Sequence, residues 1–176
     1  RRCVHFDFGD SLRQIVERGE PDENVSVDDI AFLRQVLESG ALLEDKDFSI
    51  ALRILQSFVA SRNVDRNTNP VLNGLPRHVG QARALEIVLD VKTIVCLHCS
   101  PEVVVQRIRT NAGGDRGDRN DDQLEAVRHK ISLYSQRTLP LVAHYQSRGA
   151  RVLSLDVSPT MTAVDMWQAV SQEPAG

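Results

Sequence analysis

The sequence has little lysine, little cysteine and no long apolar run. Lysine accounts for only three of the 21 basic residues, and only three cysteines occur in 176 residues. No stretch approaches the roughly 18 apolar residues of a membrane helix, and the first residues form no apolar signal segment. An odd number of cysteines in a chain of this size argues against a disulfide framework. We therefore expect a soluble protein of a reducing, cytoplasmic compartment, without a membrane partner.

The charge balance makes a nucleic-acid partner unexpected. A formal net charge of −3 gives no basic field that would hold a nucleic-acid backbone. With 41% hydrophobic and 26% charged residues, the chain can bury the core of one compact α/β domain. Subtracting the three lysines from the 21 basic residues leaves 18 arginines. Codon bias is the simpler explanation for them, and bidentate binding of phosphate oxygens is the functional one.

Short apolar runs that alternate with helical patterns predict parallel strands joined by crossover helices. The predicted strands are residues 3–6, 70–72, 93–99 and 151–155. Between the first two, Ser26 can cap a helix that Gly40 ends, and no strand accompanies it, so we expect a small helical lobe there. Further helical patterns cover residues 45–62, 81–89, a segment from Pro101, 122–149 with a break near Pro140, and 160–170.

The first candidate motif is Gly9-Asp10-Ser11-Leu12-Arg13, which follows the opening strand and begins a helix. Gly9 lets the backbone approach a ligand, and Arg13, one turn into the helix, can point back at an anion near the helix N-terminus. An arginine on a solvated helix face is the commoner explanation for this motif taken alone.

The second motif is Asn73-Gly74-Leu75-Pro76-Arg77 with Gln81, directly after the second predicted strand. Ligands of open parallel sheets bind at the carboxyl ends of the strands, where Arg77 would meet solvent. An ordinary strand-exit turn with a surface arginine explains the pentapeptide equally well.

The third cluster surrounds a polar, glycine-rich stretch, residues 111–122. Its charged members are Arg107, Arg116, Arg119, Asp121, Asp122, Arg128 and Lys130. Converging cations suit a reaction that must neutralise charge on a transferring phosphoryl group. The two aspartates would anchor the loop through ion pairs or cap the following helix. In isolation, a solvated charge cluster is an equally good interpretation.

Taken together, the three motifs resemble those of the adenylate kinase family of nucleoside monophosphate kinases. Gly9–Arg13 is similar to the family's Gly-Asp-x-Leu-Arg monophosphate motif, and Asn73–Arg77 with Gln81-Ala82 is similar to its Asp-Gly-Phe-Pro-Arg with Gln-Ala. Arg119-x-Asp121-Asp122 is similar to the family's lid signature, and Tyr134, Pro140 and Tyr145 follow as they do there. The resemblance covers essentially all of the chain.

This resemblance implies an α/β fold, a P-loop-kinase-like parallel sheet flanked by helices, in a single domain over residues 1–176. It also implies a helical monophosphate-binding lobe at about residues 14–45 and a short lid at about 108–120. The implied activity is reversible transfer of a phosphoryl group from ATP, with Mg²⁺, to a nucleoside monophosphate. AMP is the expected acceptor because Gln81 is kept, and we expect a monomer.

The resemblance also assigns roles to individual residues. Arg13 and Arg77 would bind the α-phosphate of the monophosphate, with Gly9 and Gly74 beside them, and Gln81 would read the base. Arg107 and Arg119 would contact the transferring phosphates, and Lys130 stands where the family has an arginine. Arg116, Asp121 and Asp122 would belong to the lid, whose closure excludes water.

The sequence departs from the family by lacking a phosphate-binding loop. That loop reads Gly-x-x-x-x-Gly-Lys followed by Ser or Thr, and none of the three lysines follows a glycine. In the family the loop leaves the central strand of the sheet, before the segment that matches residues 3–6. A sheet without its central strand exposes two edges and much apolar surface, so we expect the loop and its strand to lie upstream of Arg1.

Four substitutions bear on activity. Asn73 replaces an aspartate that orients metal-bound water, Asn111 and Lys130 replace arginines, and Phe8 replaces a small residue near the base. The alternative function is therefore a catalytically impaired, nucleotide-binding regulatory or interaction domain.

Overall fold

The computed structural model of the chain describes residues 2–65, 67–112 and 124–172. The chain divides into two compact units, Arg1–Val88 and Leu89–Gly176. Each unit contains a two-stranded parallel sheet with helices packed against it, which confirms the predicted α/β class. Among the described residues, every helix is too short or too polar to cross a membrane.

The sheet of the first unit pairs β1 (Arg2–Asp7) with β2 (Thr68–Asn73) in parallel. The register places Arg2 opposite Thr68 at one end and Asp7 opposite Asn73 at the other. The strands predicted at residues 3–6 and 70–72 lie within these bounds. Because parallel strands end at the same edge, the two segments that follow Asp7 and Asn73 begin side by side.

Four α-helices complete the first unit. They are α1 (Phe8–Arg18), α2 (Val27–Ser39), α3 (Phe48–Ser61) and α4 (Val79–Leu85), and a 3-10 turn at Asp45–Asp47 precedes α3. The core is apolar, and its least exposed side chains include Phe6, Leu33, Phe48, Leu55 and Leu85. The ring of Phe6 lies 4.9 Å from that of Phe58, which packs α3 against β1. The structure replaces the single helix predicted over 45–62 with the 3-10 turn and α3.

Local signals fix both ends of α2 as predicted. The Ser26 hydroxyl accepts the N–H of Asp29, and the Asp29 carboxylate accepts the N–H of Ser26, which forms a complete capping box. Gly40 ends the helix with φ of 65°, a left-handed conformation that suits glycine. Asp29 also bonds Arg53 of α3 at 2.8 Å, so this cap joins two helices.

The second unit pairs β3 (Thr93–His98) in parallel with β4 (Arg151–Asp156). Its helices are α5 (Pro101–Arg109), α6 (Leu124–Leu133), α7 (Pro140–Gln146) and α8 (Ala163–Gln172). The break predicted near Pro140 is present as a π-helical segment, Tyr134–Thr138, between α6 and α7. The Leu139 N–H bonds Tyr134 O at 2.9 Å, and α7 then begins at proline, which has no N–H to satisfy.

Both sheets carry exposed apolar side chains. Val71 of β2 is 51% exposed, and Val95 and Leu97 of β3 are 48% and 49% exposed. The three cysteines are all free, with Cys96 buried in β3 and Cys3 and Cys99 exposed.

We predict that Ser26→Ala lowers the free energy of unfolding by about 1 kcal/mol, because the N–H of Asp29 loses its capping acceptor. Chemical denaturation monitored by circular dichroism measures the change. Ser61→Ala is the matched control, since the Ser61 hydroxyl only donates to Phe58 O of its own helix. Equal losses in the two variants would contradict the capping role of Ser26.

Candidate functional site

The candidate site lies in the first unit, at the edge where β1 and β2 both end. The helix α1 begins directly after β1, and the Gly74 turn follows directly after β2. Gly74 has φ of 85°, and a β-carbon there would lie 3.3 Å from Phe8 Cβ and 3.8 Å from the Gly9 nitrogen. The turn therefore packs against the first residues of α1, and a side chain at Gly74 would push them apart.

This close approach brings two predicted arginines to one edge of the sheet. Arg13 lies on α1 with its side chain 47% exposed, and its guanidinium is 3.4 Å from the Asp10 carboxylate. Arg77 follows the Gly74 turn, and its Nε donates to Gly74 O at 3.1 Å. Partial desolvation lowers the pKa of Arg77, and the negative charge of Asp7 opposes that effect. Two guanidinium groups beside the N-terminus of an 11-residue helix form an arrangement that suits an anion.

Asp7 is a residue of this edge that sequence reasoning missed. Its Oδ1 accepts the N–H of Asp10 at 2.8 Å, which caps α1, and its Oδ2 accepts the Asn73 side-chain amide at 2.7 Å. Burial by itself raises the pKa of Asp7, but these two hydrogen bonds and the charge of Arg13 outweigh burial and lower it. The available signal was an aspartate three residues before Asp10, the spacing of a helix N-cap.

Gln81 is buried beneath the Arg77 turn, with 1% of its surface exposed. Its Oε1 accepts the Arg77 N–H at 2.8 Å, and its Nε2 donates to Leu43 O at 2.8 Å. The side chain thereby ties the turn to the segment that precedes the 3-10 turn at Asp45–Asp47. Its reading of a base stays a prediction.

A second contact between the same two segments joins His78 and Asp45. The Nδ1 of His78 lies 2.9 Å from Asp45 Oδ1, and its Nε2 lies 3.4 Å from Leu43 O. A β-carbon at Gly80 would overlap the Asp45 carboxylate, so glycine leaves room for that carboxylate against α4. Sequence reasoning missed this pair, since 33 positions separate the two residues.

The structure places two predicted site residues in the second unit. The Nη1 of Arg107 donates to Ser158 O at 2.9 Å and to Met161 O at 2.7 Å, so Arg107 anchors the segment after β4. Lys130 lies exposed on α6. The predicted lid residues Arg116, Arg119, Asp121 and Asp122 lie outside the described residues. Residues 2–65, 67–112 and 124–172 contain no cluster of three or more histidine, cysteine or acidic side chains suited to a metal ion.

Phe8 packs in the same apolar core as Phe6. It is 6% exposed, and its ring centroid lies 6.4 Å from that of Phe6. Phe8 thus packs in the first unit's interior at the start of α1. Its predicted position near the base of a bound nucleotide stays a prediction.

Comparison with known proteins identifies one family. The family model described as adenylate kinase matches residues 2–150. A protein named adenylate kinase from Synechococcus sp. (strain WH7803) is 31% identical over 165 residues, which cover 91% of this chain and 79% of that protein. An adenylate kinase from Xylella fastidiosa (strain M23) is 31% identical over 150 residues, covering 82% of this chain and 73% of that protein.

We predict that Gln81→Ala lowers the free energy of unfolding by about 2–4 kcal/mol. The substitution leaves the Arg77 N–H and the Leu43 carbonyl without their buried partner and opens a cavity. Urea denaturation measures the loss. Arg83→Ala, an exposed position on the same helix, should change stability by less than about 0.5 kcal/mol. A Gln81 variant as stable as the Arg83 variant would contradict a structural role for the buried amide.

Proposed function

The chain belongs to the adenylate kinase family of nucleotide-binding phosphotransferases, and from this premise we propose that it transfers a phosphoryl group reversibly from ATP to AMP. The observation that carries the proposal is the shared edge of β1 and β2, where Arg13 and Arg77 lie beside the N-terminus of α1. A nucleoside monophosphate presents a dianionic phosphate, which is the ligand that such an edge suits.

In this proposal, Arg13 and Arg77 bind the α-phosphate of AMP. Guanidinium groups bind phosphate oxygens bidentately, and the positive end of the helix dipole adds to their attraction. Gly9 keeps the backbone bare where the phosphate would approach, and Gly74 lets its turn pack against the first residues of α1, so that Arg77 lies beside that helix. These residues position the acceptor phosphate and neutralise its charge, which is what phosphoryl transfer requires of the protein.

We further propose that Gln81 reads the adenine base by exchanging one hydrogen bond. Its Nε2 now donates to Leu43 O; a ring nitrogen of adenine could accept from Nε2 in place of that carbonyl, and the neighbouring amino group of adenine could donate to Leu43 O in return. The bond from the Arg77 N–H to Gln81 Oε1 would stay, so the amide keeps its orientation during the exchange. Base selection would then depend on whether the incoming ring offers an acceptor.

The ATP side of the reaction is proposed to involve Arg107, Arg119 and Lys130, with Arg116, Asp121 and Asp122 in a closing lid. A phosphate-binding loop would hold the β- and γ-phosphates of ATP. Mg²⁺ would enter as an ion carried by ATP, because Mg²⁺ prefers substrate phosphates and water to an all-protein cage. Its contribution is to neutralise phosphate charge.

We propose that the enzyme acts as a monomer.

A second candidate function is a regulatory or interaction domain that binds nucleotide without turnover. The observation that favours it is Asn73, whose neutral amide stands in place of the family's aspartate and donates to Asp7. Asn111 and Lys130, in place of arginines, favour it as well.

A coupled assay of ADP formation from ATP and each nucleoside monophosphate separates the two functions. The assay uses the protein at its full native length. Turnover that is fastest with AMP supports the kinase. Binding of AMP without turnover on any acceptor supports the regulatory domain and contradicts the kinase.

We predict that Arg77→Ala weakens AMP binding about tenfold or more, because a charge-assisted bidentate contact is lost. Isothermal titration calorimetry measures the dissociation constant. Arg83→Ala removes an exposed arginine from α4 and should leave the constant unchanged. An Arg77 variant with normal affinity would show that the phosphate binds elsewhere.

A further inference from the structure

The Asp7 carboxylate is held at a fixed position on the cationic edge of the first unit. One oxygen accepts the Asp10 N–H at 2.8 Å and the other accepts the Asn73 amide at 2.7 Å, so the ends of β1 and β2 both hold it. The residue is half-buried. A carboxylate restrained in this way cannot swing out into solvent without breaking two hydrogen bonds.

Cationic groups face this carboxylate from the two segments that follow the strands. A β-carbon at Gly9 would lie 3.4 Å from Asp7 Oδ1 and 3.5 Å from Arg13 Nη1, so these two atoms flank the same bare Cα. Arg77 interacts electrostatically with Asp7 from the other segment. His5 contributes a weaker interaction from β1, and the carboxylate of Asp10 lies against Arg13. An anion bound by Arg13 and Arg77 therefore also meets a fixed negative charge.

We propose that Asp7 is the built-in counter-ion of the monophosphate site. It balances Arg13 and Arg77 while the site is empty, and it opposes the dianionic phosphate once the nucleotide is bound. The nucleotide is consequently held less tightly and leaves faster than it would from a purely cationic edge. Asp7 is a positioning residue rather than a catalytic one, and the inference rests on the proposed binding of AMP at this edge.

The variant Asp7→Asn tests the proposal with the whole chain. Asparagine caps helices as well as aspartate does, so its oxygen keeps the bond from the Asp10 N–H while the charge is removed. The new NH2 group can donate to the Asn73 side-chain oxygen once that amide turns over. We expect AMP to bind about threefold more tightly or better at low salt, because a repulsion between like charges is lost. Adenosine, which has no phosphate, should bind with unchanged affinity. Raising the salt concentration should reduce the difference between the two proteins, since exposed charges are screened.

The exchange variant Asp7→Asn with Asn73→Asp provides a matched control. The two side chains are hydrogen-bonded, so exchanging amide and carboxylate keeps the bond and moves the charge to the end of the neighbouring strand. We expect AMP affinity to return close to the wild-type value. Affinity that stays as tight as in Asp7→Asn would overturn the charge explanation.

The remaining outcomes are equally decisive. Equal or weaker AMP binding by a folded Asp7→Asn variant overturns the counter-ion role while leaving the proposed function intact. Tighter binding of adenosine to the same degree as AMP also overturns it, because the effect would then not act on the phosphate. A wild-type chain that binds no AMP overturns the proposed function itself. If Asp7→Asn does not fold, Asp7→Ser is a second neutral helix cap that carries the same comparison.

Discussion

The parallel register of β1 against β2 is the constraint on which the candidate site depends. It places Asp7 opposite Asn73, and so it starts α1 and the Gly74 turn at the same level of the sheet. A slip of one residue would turn every side chain of a strand to the opposite face. Phe6 would then leave the core, where it is 1% exposed and packs on Phe58. Core packing beneath the sheet thus fixes the geometry of the charged groups at its edge.

The backbone of the Gly74 turn approaches the start of α1 closely, and this contact brings the candidate binding residues to one edge of the sheet. Gly74 packs against the start of α1 at a distance that leaves no room for a side chain, and this contact sets Arg77 beside the motif that carries Arg13. The guanidinium groups of Arg13 and Arg77 repel each other at this edge unless negative charges lie nearby. Asp7, the last residue of β1, and Asp10, in the first turn of α1, carry the opposite charge, so this edge holds both signs of charge in the absence of a ligand.

Sequence reasoning succeeded where a signal is local and failed where it depends on distant partners. The cap at Ser26, the stop at Gly40 and the four strands are set by neighbouring residues, and the structure has them where the pattern predicts. The bond from Asn73 to Asp7 spans 66 positions, and no spacing rule reveals it. The 3-10 turn at Asp45–Asp47 falls within the helix predicted over residues 45–62, because nothing in its three charged residues separates it from the first turn of α3. The family resemblance predicts that Arg13 and Arg77 lie together, whereas Asp7 lies outside the three motifs that carry the resemblance.

Two residues to which the resemblance assigns ligands already have protein partners. Gln81 bonds Leu43 O and the Arg77 N–H, and Arg107 bonds carbonyls that follow β4. A buried polar group left without a partner destabilises a protein by about 1–3 kcal/mol, so such groups are satisfied in the empty chain. Contact with a group of this kind adds no binding free energy unless the ligand offers an equivalent hydrogen bond in exchange. In the proposed base reading, a ligand that lacks either an acceptor for Gln81 or a donor for Leu43 would leave one of these groups unsatisfied, so selectivity would arise from the exchange itself.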